Sequence, residues 1–196
     1  MSHDVVSRDI DNLGDAVCRN DERAVLRLVQ NAPQEVLDGA RSKDYFTAVG
    51  SAAYCNYHTI LRILLRAKCS VHGCDQETGL TPLNAACSRE SVEAVRILIA
   101  AKVNVDRRSK DGGTATYGAI QHGNLGALGV LLEAKADINI GAGPDNIPPL
   151  MRATNMGNSD VVALLIENKV AVNNGDNTLY RPLYVHGAGM DTSSLY

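Results

Sequence analysis

The apolar positions of this chain return in pairs at a nearly fixed spacing. Leu28 and Val29 are followed by Leu64 and Leu65, Leu98 and Ile99, Leu131 and Leu132, then Leu165 and Ile166, a period of 33 to 36 residues. A second column runs through Ala16, Ala52, Ala86, Ala119 and Ala153, and three residues before each stands Leu13, Val49, Leu83, Thr116 or Leu150. Residues three and four apart share one face of an α-helix. Leu83 with Ala86, and Val95 with Leu98 and Ile99, therefore predict two short helices, each apolar on one side. The alanines are small because helices of adjacent units must approach to roughly 8 to 10 Å, and a large side chain there would wedge them apart. Val71, Val105, Ile138 and Val172 recur just after the second helix, where an extended segment is expected to lead through a turn or hairpin to the next unit.

Self-similarity at this period means a stack in which each unit touches chiefly its neighbours. The units are expected at about residues 9–41, 42–75, 76–108, 109–141 and 142–175, after an N-terminal tail of residues 1–8. In the first, a cap with a more polar outer side, the second helix is expected near Glu22–Gln30, stopped by Asn31 and Pro33. A partial sixth unit at 176–189 has room for one helix after Arg181, Pro182 and Leu183. There His186 stands in the alanine column, and Gly187 and Gly189 interrupt the pattern. Residues 190–196 are expected to be a frayed tail.

The run TPLNAAC at Thr81–Cys87, the 33-residue spacing and the endings VNVD at Val103–Asp106 and ADIN at Ala136–Asn139 resemble ankyrin repeats. The resemblance implies an all-α solenoid of stacked helix pairs, about five repeats plus a partial C-terminal cap. It also implies a concave face, built from inter-repeat fingers and first helices, that binds other proteins. This chain departs from the family where a histidine usually follows Thr-Pro-Leu and links neighbouring repeats through hydrogen bonds. Gly50, Asn84, Tyr117, Met151 and Tyr184 stand there instead, so that network is expected to be weakened or remade. The fourth repeat reads TATYGAI over Thr114–Ile120, without the proline that presets the first helical turn. Its Gly118 lies inside the helix at a cost of about 0.5 to 1 kcal/mol relative to alanine, so the fourth repeat is expected to open first. The fifth carries one extra residue in GAGPDNIPPL, before Leu150.

Composition narrows the function classes. With 45% hydrophobic residues, 4% aromatic, one Phe and no Trp, the interior must be built from Ala, Leu, Ile and Val. A formal net charge of −3 and a pI near 5.9 argue against a broad nucleic-acid footprint. No apolar run reaches the roughly 18 to 20 residues of a membrane span, and the first residues lack a signal-peptide layout. Five cysteines, Cys18, Cys55, Cys69, Cys74 and Cys87, follow no paired spacing. Free thiols and an intracellular location, the cytoplasm with the nucleus as the alternative, are expected.

Candidate chemistry is sparse, and neither a catalytic role nor a cofactor is expected. Cys55 with His58 and Cys69 with His72 look like two ligand pairs for zinc. The helix between them separates the pairs by about 15 Å per ten residues, whereas zinc ligands lie about 2.0 to 2.3 Å from one ion. Core and turn roles fit better, and no metal site is expected. No G-x-S-x-G, H-E-x-x-H or G-x-x-x-x-G-K-[ST] motif occurs, and the glycines at 141–146 belong to an inter-repeat finger. Where the family has glycine after the second helix, Lys68, Lys102, Lys135 and Lys169 recur. They predict a basic edge felt by an acidic partner, or, in the plainer reading, cations complementing helix C-termini. LLEAKADIN at Leu131–Asn139 is similar to ankyrin segments modified by asparaginyl hydroxylases of the hypoxia-sensing type, with Asn139 as target. An asparagine stabilising the finger turn is the plainer reading. Ser194, Leu195 and Tyr196 faintly resemble a C-terminal ligand of peptide-binding domains.

The leading expectation is a protein-interaction scaffold or adaptor, monomeric, with another protein as partner, and with neither nucleic-acid binding nor membrane insertion. Positions that differ between repeats, while the packing columns do not, define its surface. On the fingers these are Glu77, Thr78, Leu80, Lys110, Asp111, Asp145 and Ile147; on the helices, Tyr54, Ser88, Arg89, Gln121, His122, Asn155 and Met156. Two alternatives compete: a structural or assembly module associating through the stack ends, where Leu183 and Tyr184 stand, and the recognition fragment of a longer multidomain protein.

Overall fold

A computed structural model of the chain describes residues 3–40, 46–75 and 77–170; the sixth repeat and the tail at 190–196 lie outside the described residues. Helices follow in the order α1 (His3–Cys18), α2 (Glu22–Gln30), α3 (Gln34–Gly39), α4 (Ala48–Tyr54), α5 (His58–Arg66), α6 (Pro82–Cys87), α7 (Val92–Ala100), α8 (Ala115–Gln121), α9 (Leu125–Glu133), α10 (Pro149–Asn155) and α11 (Ser159–Glu167). First helices stack on first helices, α4 on α6, α6 on α8 and α8 on α10. Second helices stack likewise, α2 on α5, α5 on α7 and α7 on α9. No helix among the described residues is long and apolar enough to cross a membrane.

The columns read from the sequence form the interior. Ala16, Ala52, Ala86, Ala119 and Ala153 are all buried, as are Leu64, Leu98, Leu131 and Leu165. The second member of each aliphatic pair, such as Ile99 or Leu132, is only partly buried against this core. In the first repeat Leu28 is partly exposed as well.

Two local readings differ from expectation. Helix α1 begins at His3, so the helix runs through residues 3–8, which were expected to be a tail. After Asn31 ends α2, Pro33 does not simply stop the chain but opens a further short helix, α3. Proline's fixed φ suits a helix start, and α3 buries Val36 and Leu37 where the next finger would otherwise stand. Its Asp38 Oδ1 accepts from Ser70 N at 2.9 Å, tying the first repeat to the second.

Helix ends explain why the turns are tight. Lys68, Lys102, Lys135 and Lys169 all have left-handed backbones, with φ between 57° and 63°. At Lys68 the N–H donates to Leu65 O and the next N–H, of Cys69, to Leu64 O, both at 3.0 Å. This double closure satisfies carbonyls that the helix end leaves open. The lysines thus occupy a conformation that glycine adopts without strain, and each is exposed.

Candidate protein-binding surface

Three of the first helices, α4, α6 and α8, are fixed by a threonine N-cap. Thr47, Thr81 and Thr114 accept through Oγ1 from the N–H of Gly50, Asn84 and Tyr117 respectively. In the third repeat Asn84 answers, its Oδ1 accepting from Thr81 N at 3.1 Å, so a reciprocal capping box forms. The position where the family places histidine is therefore remade here as an intra-repeat cap.

The links between repeats lie elsewhere. Fingers join through their backbones: Lys110 N donates to Thr78 O at 2.9 Å, and Gly143 N to Asp111 O at 2.7 Å. Each finger tip carries a left-handed residue, Gly79, Gly112 or Asn146. At Gly79 a Cβ would also meet Lys110 N at 3.0 Å, so glycine permits the finger-to-finger approach. In the last described finger Ala142 and Ile147 pair as an antiparallel bridge.

Behind the first helices, Asn124 is a second link. Its Oδ1 caps α9 by accepting from Ala127 N at 2.9 Å. Its Nδ2 donates to Cys87 O at 3.3 Å and to Arg89 O, so one buried amide caps its own repeat and satisfies carbonyls of the preceding one.

The predicted surface residues fall into two groups. Along the C-terminal ends of the first helices run Tyr54, Ser88, Gln121 and Asn155, and beside them Arg89, His122 and Met156, with Arg89, His122, Asn155 and Met156 exposed. Arg89 is engaged: its guanidinium carbon lies 4.5 Å from the Tyr54 ring centroid, and Nη2 donates to the Tyr54 hydroxyl. Tyr54 in turn stacks on Phe46 with ring centroids 5.5 Å apart. On the fingers Glu77, Lys110 and Asp145 are exposed, and Leu80 and Ile147 half-buried. Thr78 and Asp111 are exposed but occupied with the fingers themselves. Thr78 N donates to Asp75 Oδ1 at 2.6 Å, and Asp111 Oδ1 accepts from the Ser109 hydroxyl and from Gly113 N. Their side chains shape the fingers first.

Two residues of this surface were missed in the sequence. Tyr117 is almost wholly buried, and its phenol is pushed above its ordinary range, chiefly by burial, with Asp111 adding and Arg152 opposing. Arg152 is half-buried, and its Nε is closed to solvent without a hydrogen-bond partner among the described residues. The sequence did carry a signal: Arg152 stands in a column that holds Asp15, Ser51, Ala85 and Gly118 in the repeats before it.

The remaining candidates are placed plainly. Cys69 is buried, its thiol pushed up to about 11 by burial and by the nearby Asp38 charge. Cys55, exposed, ends α4. Among the described residues no group of three or more His, Cys, Asp or Glu gathers as metal ligands would. Asn139 is exposed, its N–H donating to Asp137 Oδ1 at 2.8 Å and its Nδ2 to the same oxygen at 3.2 Å.

Comparison with known proteins agrees with this architecture. The chain is similar to the tyrosine-protein kinase Shark of Drosophila melanogaster, 33% identical over 136 residues, which cover 68% of this chain and 14% of the kinase. The chain thus spans about one seventh of the length of that curated relative. A family model of ankyrin repeats, in three copies, matches residues 50–142, from within α4 to the finger before α10. Residues 50–142 are thus ankyrin repeats, and the same helix pair recurs on both sides of that match.

Proposed function

We propose that the chain is an intracellular scaffold or adaptor, monomeric, that holds a partner protein against the face formed by its fingers and first helices. Ankyrin repeats are in general protein-interaction modules, a fold without catalytic machinery of its own. One observation carries the finer reading. The columns that repeat, Ala52, Ala86, Ala119 and Ala153, are at most 2% exposed, while the positions that vary along the same helices, Arg89, His122, Asn155 and Met156, reach solvent together. Packing has fixed the first set and leaves the second available for recognition.

The test is affinity capture from the source cell with the wild-type chain and with an Arg89→Glu, Met156→Ala variant of unchanged circular dichroism. Partners held by the wild type and lost by the variant are expected. Equal capture by both would move the site off this face. Size-exclusion chromatography across concentrations checks the monomer, since association through stack ends must rise with concentration.

A second reading is supported by the kinase comparison, in which the similar region is only 14% of the relative. These repeats would then serve as the recognition part of a longer protein. An antibody against the repeats, used on the source cell, decides: a native species well above 20.9 kDa supports it, and a species at that mass sinks it.

A further inference from the structure

Arg152 breaks its column. In the three repeats before it the equivalent positions hold Ser51, Ala85 and Gly118, all small, with Asp15 in the first repeat, and a long cation there needs a reason. A guanidinium carries five N–H donors and ordinarily finds carboxylates or carbonyls once it leaves water. Here Nε is shut away from solvent with no acceptor among the described residues. The ion pairs seen among the described residues, Arg62 with Glu93 and Arg96 with Glu133, involve other residues on the second helices. Asp111, whose charge reaches Tyr117 as Arg152's does, turns its Oδ1 to Ser109 and Gly113 instead.

The surroundings have room for an acceptor from outside. In the repeat before, a Cβ built on Gly118 would meet nothing within 4 Å, so the surface next to Tyr117 is open. One turn beyond Arg152, Met156 is 51% exposed and offers an apolar contact on the same helix face. On the fingers Glu77, Lys110 and Asp145 are exposed, so the rim carries both signs.

We infer that Arg152 reads an Asp or Glu side chain of the partner, carried on an extended segment that crosses over Gly118 and lays an apolar residue against Met156. This rests on the reading of the face as a protein-binding surface. The cation is already half-buried and forms no ion pair among the described residues, so a carboxylate replaces little water there and gains a forked, charge-assisted contact.

The test selects short random peptides displayed on phage against the full chain, then measures fluorescently labelled copies by anisotropy at low and high salt. Selected peptides are expected to be enriched in Asp and Glu and to bind more weakly at high salt. Arg152→Gln is expected to weaken them about tenfold or more. Arg152→Lys, which keeps the charge but not the fork, should weaken them less. Gly118→Leu, which fills the open surface, should also reduce binding. The melting temperature of Arg152→Gln is expected to stay level or rise, whereas a structural role for Arg152 would lower it.

Selection without acidic enrichment, no selected peptide at all, or equal binding to Arg152→Gln would each overturn the inference. If binding is lost in the Arg89→Glu, Met156→Ala variant but kept in Arg152→Gln, the binding face stands and its acidic preference falls. Peptides insensitive to every one of these variants would remove both. Binding that appears only after Asp176 and Asp191 are changed to Asn would assign the cation to this chain's own acids, and would equally overturn it.

Discussion

The third and fourth repeats share a backbone plan and differ in what supports it. In the third, Pro82 presets the first turn of α6, Thr81 and Asn84 cap each other, and no glycine interrupts either helix. In the fourth, Thr114 caps α8 on one side only, and Gly118, Gly126 and Gly129 lie within helices. A buried hydroxyl, Thr116 Oγ1, has no partner among the described residues. Yet Ala86 and Ala119 are equally buried, as are Leu98 and Leu131. The stack is specified by a few packing columns, and local support can be poor in one repeat provided its neighbours hold it. Asn124 is how the third repeat holds the fourth, since its amide reaches back to Cys87 and Arg89.

Removing that link should have the largest effect. Asn124→Ala loses an N-cap, about 0.5 to 2 kcal/mol, and leaves buried carbonyls short of a donor, at about 1 to 3 kcal/mol. A loss of about 2 to 4 kcal/mol in urea denaturation is expected. A change under about 1 kcal/mol would show that the fourth repeat does not depend on it.

Hydrogen exchange reads the contrast directly. Amides of α8 and α9 are expected to exchange about tenfold faster than those of α6 and α7, the difference being local opening; equal or slower exchange in the fourth repeat would contradict the comparison. Next in size, Thr116→Val replaces an unpartnered buried hydroxyl by a methyl of similar shape and should stabilise by about 1 kcal/mol, visible as a raised denaturation midpoint. If it destabilises, the hydroxyl has an acceptor after all.

The smallest effects separate the glycines. A Cβ at Gly118 or Gly129 meets nothing within 4 Å, so alanine at either should stabilise by about 0.5 to 1 kcal/mol. At Gly126 a Cβ would stand 2.7 Å from Val92 Cγ2, and alanine there should fail to stabilise. Identical melting shifts for all three would show that helix propensity alone decides.

Much of the surface was legible in the residues and some was not. The variable positions at the ends of the first helices, Arg89, His122, Asn155 and Met156, reach solvent as their spacing required. Thr78 and Asp111 were read as free to face a partner. Their side chains instead hold the fingers, because a polar residue in a tight turn binds the nearest backbone N–H or carboxylate first. Arg152 was passed over, although it stood as the one long side chain in a small column. Period and composition mark where a side chain belongs in a repeat, not whether anything lies opposite it.

The sequence by itself determined the helix pairs, their number along the described chain and the buried alanine and leucine columns. A 33 to 36-residue period with a 3.6-residue pattern inside it calls for helix pairs stacked on their neighbours. It also marked the four lysines that the structure places in the left-handed turn after each second helix. Only the tertiary structure decided how neighbouring repeats are tied. Lys110 to Thr78, Gly143 to Asp111 and Asn124 to Cys87 join residues more than 30 apart in the chain. Each depends on the angle and distance at which one repeat meets the next, quantities that local periodicity does not contain.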